Sequence, residues 1–172
     1  MVTLIGMGSG SWEALSVQAQ DAVRRAGLVF GAKRLLAGLP PECTARQFAL
    51  YQPAEILETL AQAPGQDAAV LYSGDTGFYS GASGLLTPLR ALGIPARVYP
   101  GVSSIQLLAA ALGRPWQDWK LVSAHGCACD PVAECMTERS VFFLTGGAET
   151  PATLCRKLTD AGMGEVLSLI HI

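Results

Sequence analysis

The stretch Val70–Leu86, VLYSGDTGFYSGASGLL, decides how this chain is read. An apolar run stops at Ser73. Three glycines, an aspartate and several hydroxyls follow before a helical pattern begins near Gly81. A turn needs one such glycine, or two. Three of them around Asp75, at the end of a strand, suggest a backbone held against a ligand. Asp75 has two readings on sequence alone: it caps the following helix by accepting N–H bonds, or it faces a cation.

Working outward, the run Ala68–Tyr72 has the continuous apolar character of a strand buried on both faces. Strand and helix patterns alternate on both sides of it. Strands are expected at Val2–Ile5, Leu28–Phe30, Arg46–Leu50, Ala96–Tyr99, Lys120–Ser123, Val141–Leu144 and Glu165–Ile170. Helices are expected at Ser16–Ala26, Ala32–Ala37, Pro53–Ala63, Gly81–Leu92, Ser104–Leu112, Val132–Met136 and Thr153–Ala161. This alternation describes an α/β protein with largely parallel sheets. GRPWQDW, residues 113–119, breaks the pattern and marks a boundary between domains at 1–113 and 114–172.

Composition narrows the function classes. Of 172 residues, 50% are hydrophobic and 15% charged, with a formal net charge of −2. That is ample material for a core and leaves no basic footprint for nucleic acid or an anionic membrane. Apolar runs are too short to span a bilayer. MVTLIGMGSG lacks a basic n-region and reads as a first strand, not a signal peptide. Five cysteines follow no disulfide framework, so a reduced, cytoplasmic setting is expected. Cys127, Cys129 and Cys135 with His125 form no common zinc spacing, and no protein-bound metal is expected.

Parallel sheets bind ligands beyond the carboxyl ends of their strands. Besides SGDTGFYSG, three such loops stand out. IGMGSG (5–10) brings Gly6, Gly8 and Gly10, but its spacing misses the dinucleotide fingerprint. YPGVSSIQ (99–106) places Ser103 and Ser104 at a helix start, where one is a natural N-cap. VSAHG (122–126) carries His125. No Ser/His/Asp set or acid pair with local spacing appears, so hydrolysis is disfavoured.

GDTGFYSG, YPGVSSIQLLAAALG, WQDW and SAHG, taken with IGMGSG, LVFGAKRLL and LTGGAETPATLCRKL in order, resemble the tetrapyrrole (corrin/porphyrin) methylase family over nearly the whole chain. The resemblance implies two α/β domains with a cleft between them, and S-adenosylmethionine (SAM) as methyl donor. It implies a reaction at C5 of precorrin-7, with or without cobalt, in corrin biosynthesis. Any cobalt arrives inside the substrate. Cofactor contacts then fall on Gly74, Asp75, Phe78, Ser103, Ser104, His125, Gly126, Leu144 and Thr145. Gly6, Gly8 and Gly10 line the tetrapyrrole trough, and Arg34 pairs with a substrate carboxylate. Asp75 and His125 are the catalytic candidates. A homodimer and a fused or separate C15-methylating, decarboxylating partner are further implications.

Two departures from the family pattern stand out: Ser9 replaces a proline of the first loop, and EVLSLIHI reads as a truncated second domain. Alternatives are a different tetrapyrrole or diphthamide-type methylase, a non-catalytic relative that only binds ligand, and a nicotinamide oxidoreductase.

Overall fold

A computed structural model describes residues 1–169. The chain divides into two compact units, Met1–Ser103 and Ser104–Ile172.

The first unit is built on a five-stranded, wholly parallel sheet. Its strands are β1 (Val2–Gly6), β2 (Leu28–Phe30), β3 (Arg46–Phe48), β4 (Ala68–Tyr72) and β5 (Ala96–Tyr99), in the order β3-β2-β4-β1-β5. Successive strand residues point to opposite faces, so one strand feeds two cores. Val2, Leu4, Leu28, Phe30, Ala68 and Val70 face one side, against Ile56 of α3 (Pro53–Ala61) and Leu85 and Leu89 of α4 (Ala82–Ala91). Ile5, Val29, Ala69 and Leu71 face the other, against Ala19 and Val23 of α1 (Val17–Arg25) and Leu35 of α2 (Lys33–Leu36). Strands covered on both faces by helices need near-continuous apolar sequence, which β1 and β4 have.

Helix starts follow local chemistry. The Ser16 hydroxyl accepts a 3.2 Å bond from the Ala19 N–H at the start of α1. Pro53 occupies the first turn of α3, where its missing N–H costs nothing.

Because α1 packs on one face and α4 on the other, the helices that follow these two adjacent strands diverge. That divergence is the topological switch point of an open parallel sheet, where ligands are held.

The second unit contains α5 (Ser104–Leu112), which the sequence reading grouped with the N-terminal domain. It also contains a parallel pair, β6 (Lys120–His125) and β7 (Val141–Gly146), with helices α6 (Pro131–Cys135) and α7 (Pro151–Asp160). Asp130 caps α6, accepting from the N–H groups of Val132 at 3.0 Å and Ala133 at 3.3 Å. Lys120 reaches Glu134 at 2.8 Å, and Arg139 donates to the carbonyls of Asp118 and Trp119.

One expectation fails. Glu165–Leu169 is not a strand; the chain turns there, with Val166 N–H bonded to the Met163 carbonyl at 3.2 Å. Its alternating pattern finds no neighbouring strand to complete a ladder, and without one β propensity decides little. The remaining residue of that expectation, Ile170, lies outside the described residues. Among the described residues no helix is long and apolar enough to cross a membrane. All five cysteines are free.

Candidate functional site

At the carboxyl end of the first unit's sheet, the ends of β1, β4 and β5 draw together through backbone atoms. The Met7 N–H donates to the Tyr72 carbonyl at 2.8 Å. Gly8 and Gly74 exchange bonds of 3.0 and 2.8 Å, extending the β1–β4 contact beyond the regular ladder. Gly74 takes a φ of +65°, a conformation side chains rarely adopt. The approach is tight at Gly6. A Cβ there would lie 2.6 Å from the Gly101 nitrogen and 2.7 Å from the Gly74 oxygen. Gly6 and Gly101 are needed at that point because backbone meets backbone with no room for a methyl group, while Gly74 is set by its positive φ.

Asp75 ties this junction. Its Oδ2 accepts from the Gly77 N–H at 3.1 Å and its Oδ1 from the Gly101 N–H at 3.2 Å. The carboxylate therefore braces its own loop and pins the PGV loop after β5 to the loop after β4. It does not cap α4, whose N-cap is Gly81, six residues on. Thr76 adds a second tie, donating from Oγ1 to the Tyr99 carbonyl at 3.4 Å. Ser103, buried to 4% exposure, stands directly before α5, and Ser104 is the first residue of that helix. Phe78 packs edge-on against Tyr79, with centroids 4.8 Å apart. Tyr79 itself holds a φ of +48°, the one non-glycine residue with positive φ among those described. Strain of that kind costs about 1–3 kcal/mol and gathers at functional loops.

Arg34, on α2, extends across the same end of the sheet. Its Nη2 donates to the Ser73 hydroxyl at 2.6 Å. Its Nη1 lies 3.6 Å from where a Cβ on Gly10 would stand, so the guanidinium overlies the glycine loop after β1. Arg34 is exposed. Among the described residues no carboxylate lies within ion-pair distance of it.

The second unit gathers its own set. The β6–β7 register sets Ser123 beside Leu144, Ala124 beside Thr145, and His125 beside Gly146. His125, Gly126, Leu144 and Thr145 thus share the carboxyl end of this parallel pair. His125 Nδ1 lies 3.3 Å from the Thr145 carbonyl. A carbonyl only accepts, so this contact assigns the ring proton to Nδ1 and leaves Nε2 as the basic nitrogen. The His125 ring occupies the space a side chain on Gly146 would need. Gly126 has a φ of +71° and open space beyond its Cα.

Burial, and next the Glu149 carboxylate, push the Cys129 thiol up, and burial pushes Cys135 up as well. Among the described residues no three His, Cys, Asp or Glu side chains converge to hold a metal ion.

Four participants escaped the sequence reading: Ser73, Thr76, Gly101 and Gly146. PGV and LTGG were visible as motifs. The need for glycine at 101 and 146, however, arises from the distant Gly6, Gly74 and His125. Tyr79 was equally silent, because positive φ at a tyrosine has no sequence signature.

The comparisons with known proteins give the family. The profile of the tetrapyrrole (corrin/porphyrin) methylases matches residues 1–167. The cobalt-precorrin-7 C(5)-methyltransferase of Salmonella typhimurium is 31% identical over 172 residues, 99% of this chain and 83% of that one. The decarboxylating precorrin-6Y C(5,15)-methyltransferase of a Sinorhizobium species is 30% identical over 167 residues, 95% of this chain but only 40% of its own length. Among solved structures, uroporphyrin-III C-methyl transferase from Thermus thermophilus, complexed with S-adenyl homocysteine, superposes with a TM-score of 0.69 at 22% identity. That match covers 94% of this chain and 72% of that one. At such identity the structural likeness is one of fold, while the profile and the 31% identity carry descent. The chain belongs to the tetrapyrrole (corrin/porphyrin) methylases.

Proposed function

We propose that this methylase transfers a methyl group from SAM to C5 of precorrin-7 or its cobalt form. The observation that carries the reading is the 31% identity to the Salmonella C(5)-methyltransferase across 99% of this chain and 83% of that enzyme. The structure adds support of a different kind: glycine-rich loops at strand ends, few titratable groups, and His125 at the end of β6.

SAM supplies a methyl group on a sulfonium, which leaves as a neutral thioether and needs no protonation. The chain's own work is therefore mostly placement and exclusion of water. Gly74, Phe78 and Ser103 form the donor's contacts on the first unit's loops, with Ser104 next to them in the chain as the first residue of α5. Gly126, Leu144 and Thr145 form them on the second unit's strand ends. Asp75 acts by holding the loops after β4 and β5 in register. Gly6, Gly8 and Gly10 present bare backbone to the macrocycle, and Arg34 meets one of its carboxylates. Methylation at a meso carbon replaces one hydrogen, so a proton must leave. His125, with the proton on Nδ1, accepts it at Nε2.

In this reading C15 methylation and decarboxylation belong to another unit, fused or separate. The protein works as a homodimer in the cytoplasm, a reducing setting that suits its five free thiols.

Calorimetry with S-adenosylhomocysteine, followed by mass spectrometry of cobalt-precorrin-7 incubated with SAM, tests the reading. Binding of the first and gain of one methyl by the second are expected. Tight binding of S-adenosylhomocysteine with no methylation of either precorrin-7 form would reject the substrate assignment. No binding at all would reject the enzyme assignment, and light scattering of the purified protein tests the dimer.

A further inference from the structure

We infer that Ser73 is a positioning residue for substrate recognition, acting through Arg34. The inference rests on the tetrapyrrole reading above, since it names how one carboxylate of that substrate is met.

Arg34 and Ser73 come from elements far apart in sequence, α2 and the loop after β4. Their 2.6 Å bond is short for a nitrogen donor and an oxygen acceptor. An exposed arginine ordinarily samples many rotamers, and arresting it on binding consumes affinity. Here one arm of the guanidinium is already fixed on Ser73, and Nη1 is set over Gly10. With no carboxylate of the described residues in reach, the remaining N–H groups stay available to a carboxylate from outside. Their planar fork suits a bidentate carboxylate partner. The fixed arginine stands where the ends of β2, β1 and β4 converge, beside the side-chain-free loop assigned to the macrocycle.

Ser73 alone would be a loop hydroxyl, and Arg34 alone a helix-face cation. The bond between them makes a preorganised receptor for an acetate or propionate arm. Ser73 touches no substrate atom in this account; its contribution is the orientation of Arg34.

The test uses the whole protein and two stable corrin probes, cobyrinic acid and its fully methyl-esterified form, titrated by quenching of tryptophan fluorescence. Ser73→Ala should weaken cobyrinic acid about threefold to tenfold, the scale of ordering one long side chain. It should leave the ester and S-adenosylhomocysteine unaffected. Ser73→Thr, which keeps the hydroxyl, should restore affinity. Arg34→Ala should weaken the acid further, and adding Ser73→Ala to it should change nothing more, because the two act as one unit. Equal affinity of wild type and Ser73→Ala for the acid overturns the inference. So does additivity in the double variant, or an equal loss for the ester. If the wild type binds S-adenosylhomocysteine but neither corrin, the tetrapyrrole reading falls first and takes this inference with it.

Discussion

Substituting Gly6 by alanine tests the junction on which the site depends. The added Cβ would stand 2.6 Å from the Gly101 nitrogen and 2.7 Å from the Gly74 oxygen. It would intrude by about 0.8 Å on the 3.4 Å where ordinary contact begins. Both neighbours are backbone atoms, so no rotamer change relieves the overlap. β1 is an interior strand, bonded on both sides, so the loops that follow the strands, more exposed than the ladder itself, must give way. Overpacking of this kind costs about 1–3 kcal/mol. The functional cost should be larger in proportion. A displacement near 1 Å in groups that align a transferred methyl with its acceptor costs about 10²-fold in rate. Gly84→Ala is the matched control: its Cβ meets only the Pro53 ring, at an ordinary 3.7 Å, within helix α4. It should be neutral, or stabilising by about 1 kcal/mol through helix propensity. Urea unfolding, calorimetry with S-adenosylhomocysteine and single-turnover methyl transfer form the assay. If Gly6→Ala matches wild type in unfolding midpoint and in affinity, the three loops do not meet as described and the site's construction is refuted.

Three further outcomes follow from individual groups. Asp75→Asn keeps one acceptor oxygen but turns an amide N–H toward a backbone N–H. It should destabilise by about 1–3 kcal/mol in urea, whereas unfolding like wild type would mean Asp75 is no latch. Tyr72 ends β4 with its hydroxyl buried and without a partner among the described residues, and burial pushes its pKa up to about 12. The unfolded chain ionises first, near the ordinary value of 10. Stability should therefore be intact below pH 10 and decline toward pH 12, and Tyr72→Phe should blunt that decline while gaining up to about 1 kcal/mol at neutral pH. A Tyr72→Phe variant with the same alkaline denaturation profile would contradict the burial argument. His125→Ala should lower kcat about 10²-fold or more at saturating SAM, and an unchanged kcat removes His125 as proton acceptor.

Much of the framework was legible because burial on two faces writes itself into sequence. The buried strand Ala68–Tyr72 has the bounds its apolar run suggests, and the exposed edge strand Ala96–Tyr99 and the helix Ser104–Leu112 have theirs from proline and glycine stops. The loops worth attention were legible for the same reason, since glycines at strand ends need an explanation. Pairings were not. Asp75 looked like a cap or a cation ligand because its real partner, the Gly101 N–H, lies 26 residues on. Ser73 looked incidental because Arg34 lies 39 residues back. The strand expected at Glu165–Ile170 failed over its described part for the opposite reason: the local pattern was present and the partner edge was not. Local chemistry determines elements, while contacts distant in sequence determine what their loops do.

The central claim, methyl transfer to C5, is tested most directly by locating the transferred carbon. SAM bearing an isotopically labelled methyl group is incubated with the protein and cobalt-precorrin-7, and the product is assigned by NMR. The account predicts one label, at C5. A label at any other ring carbon, or an unlabelled substrate beside a protein that binds S-adenosylhomocysteine, would contradict it.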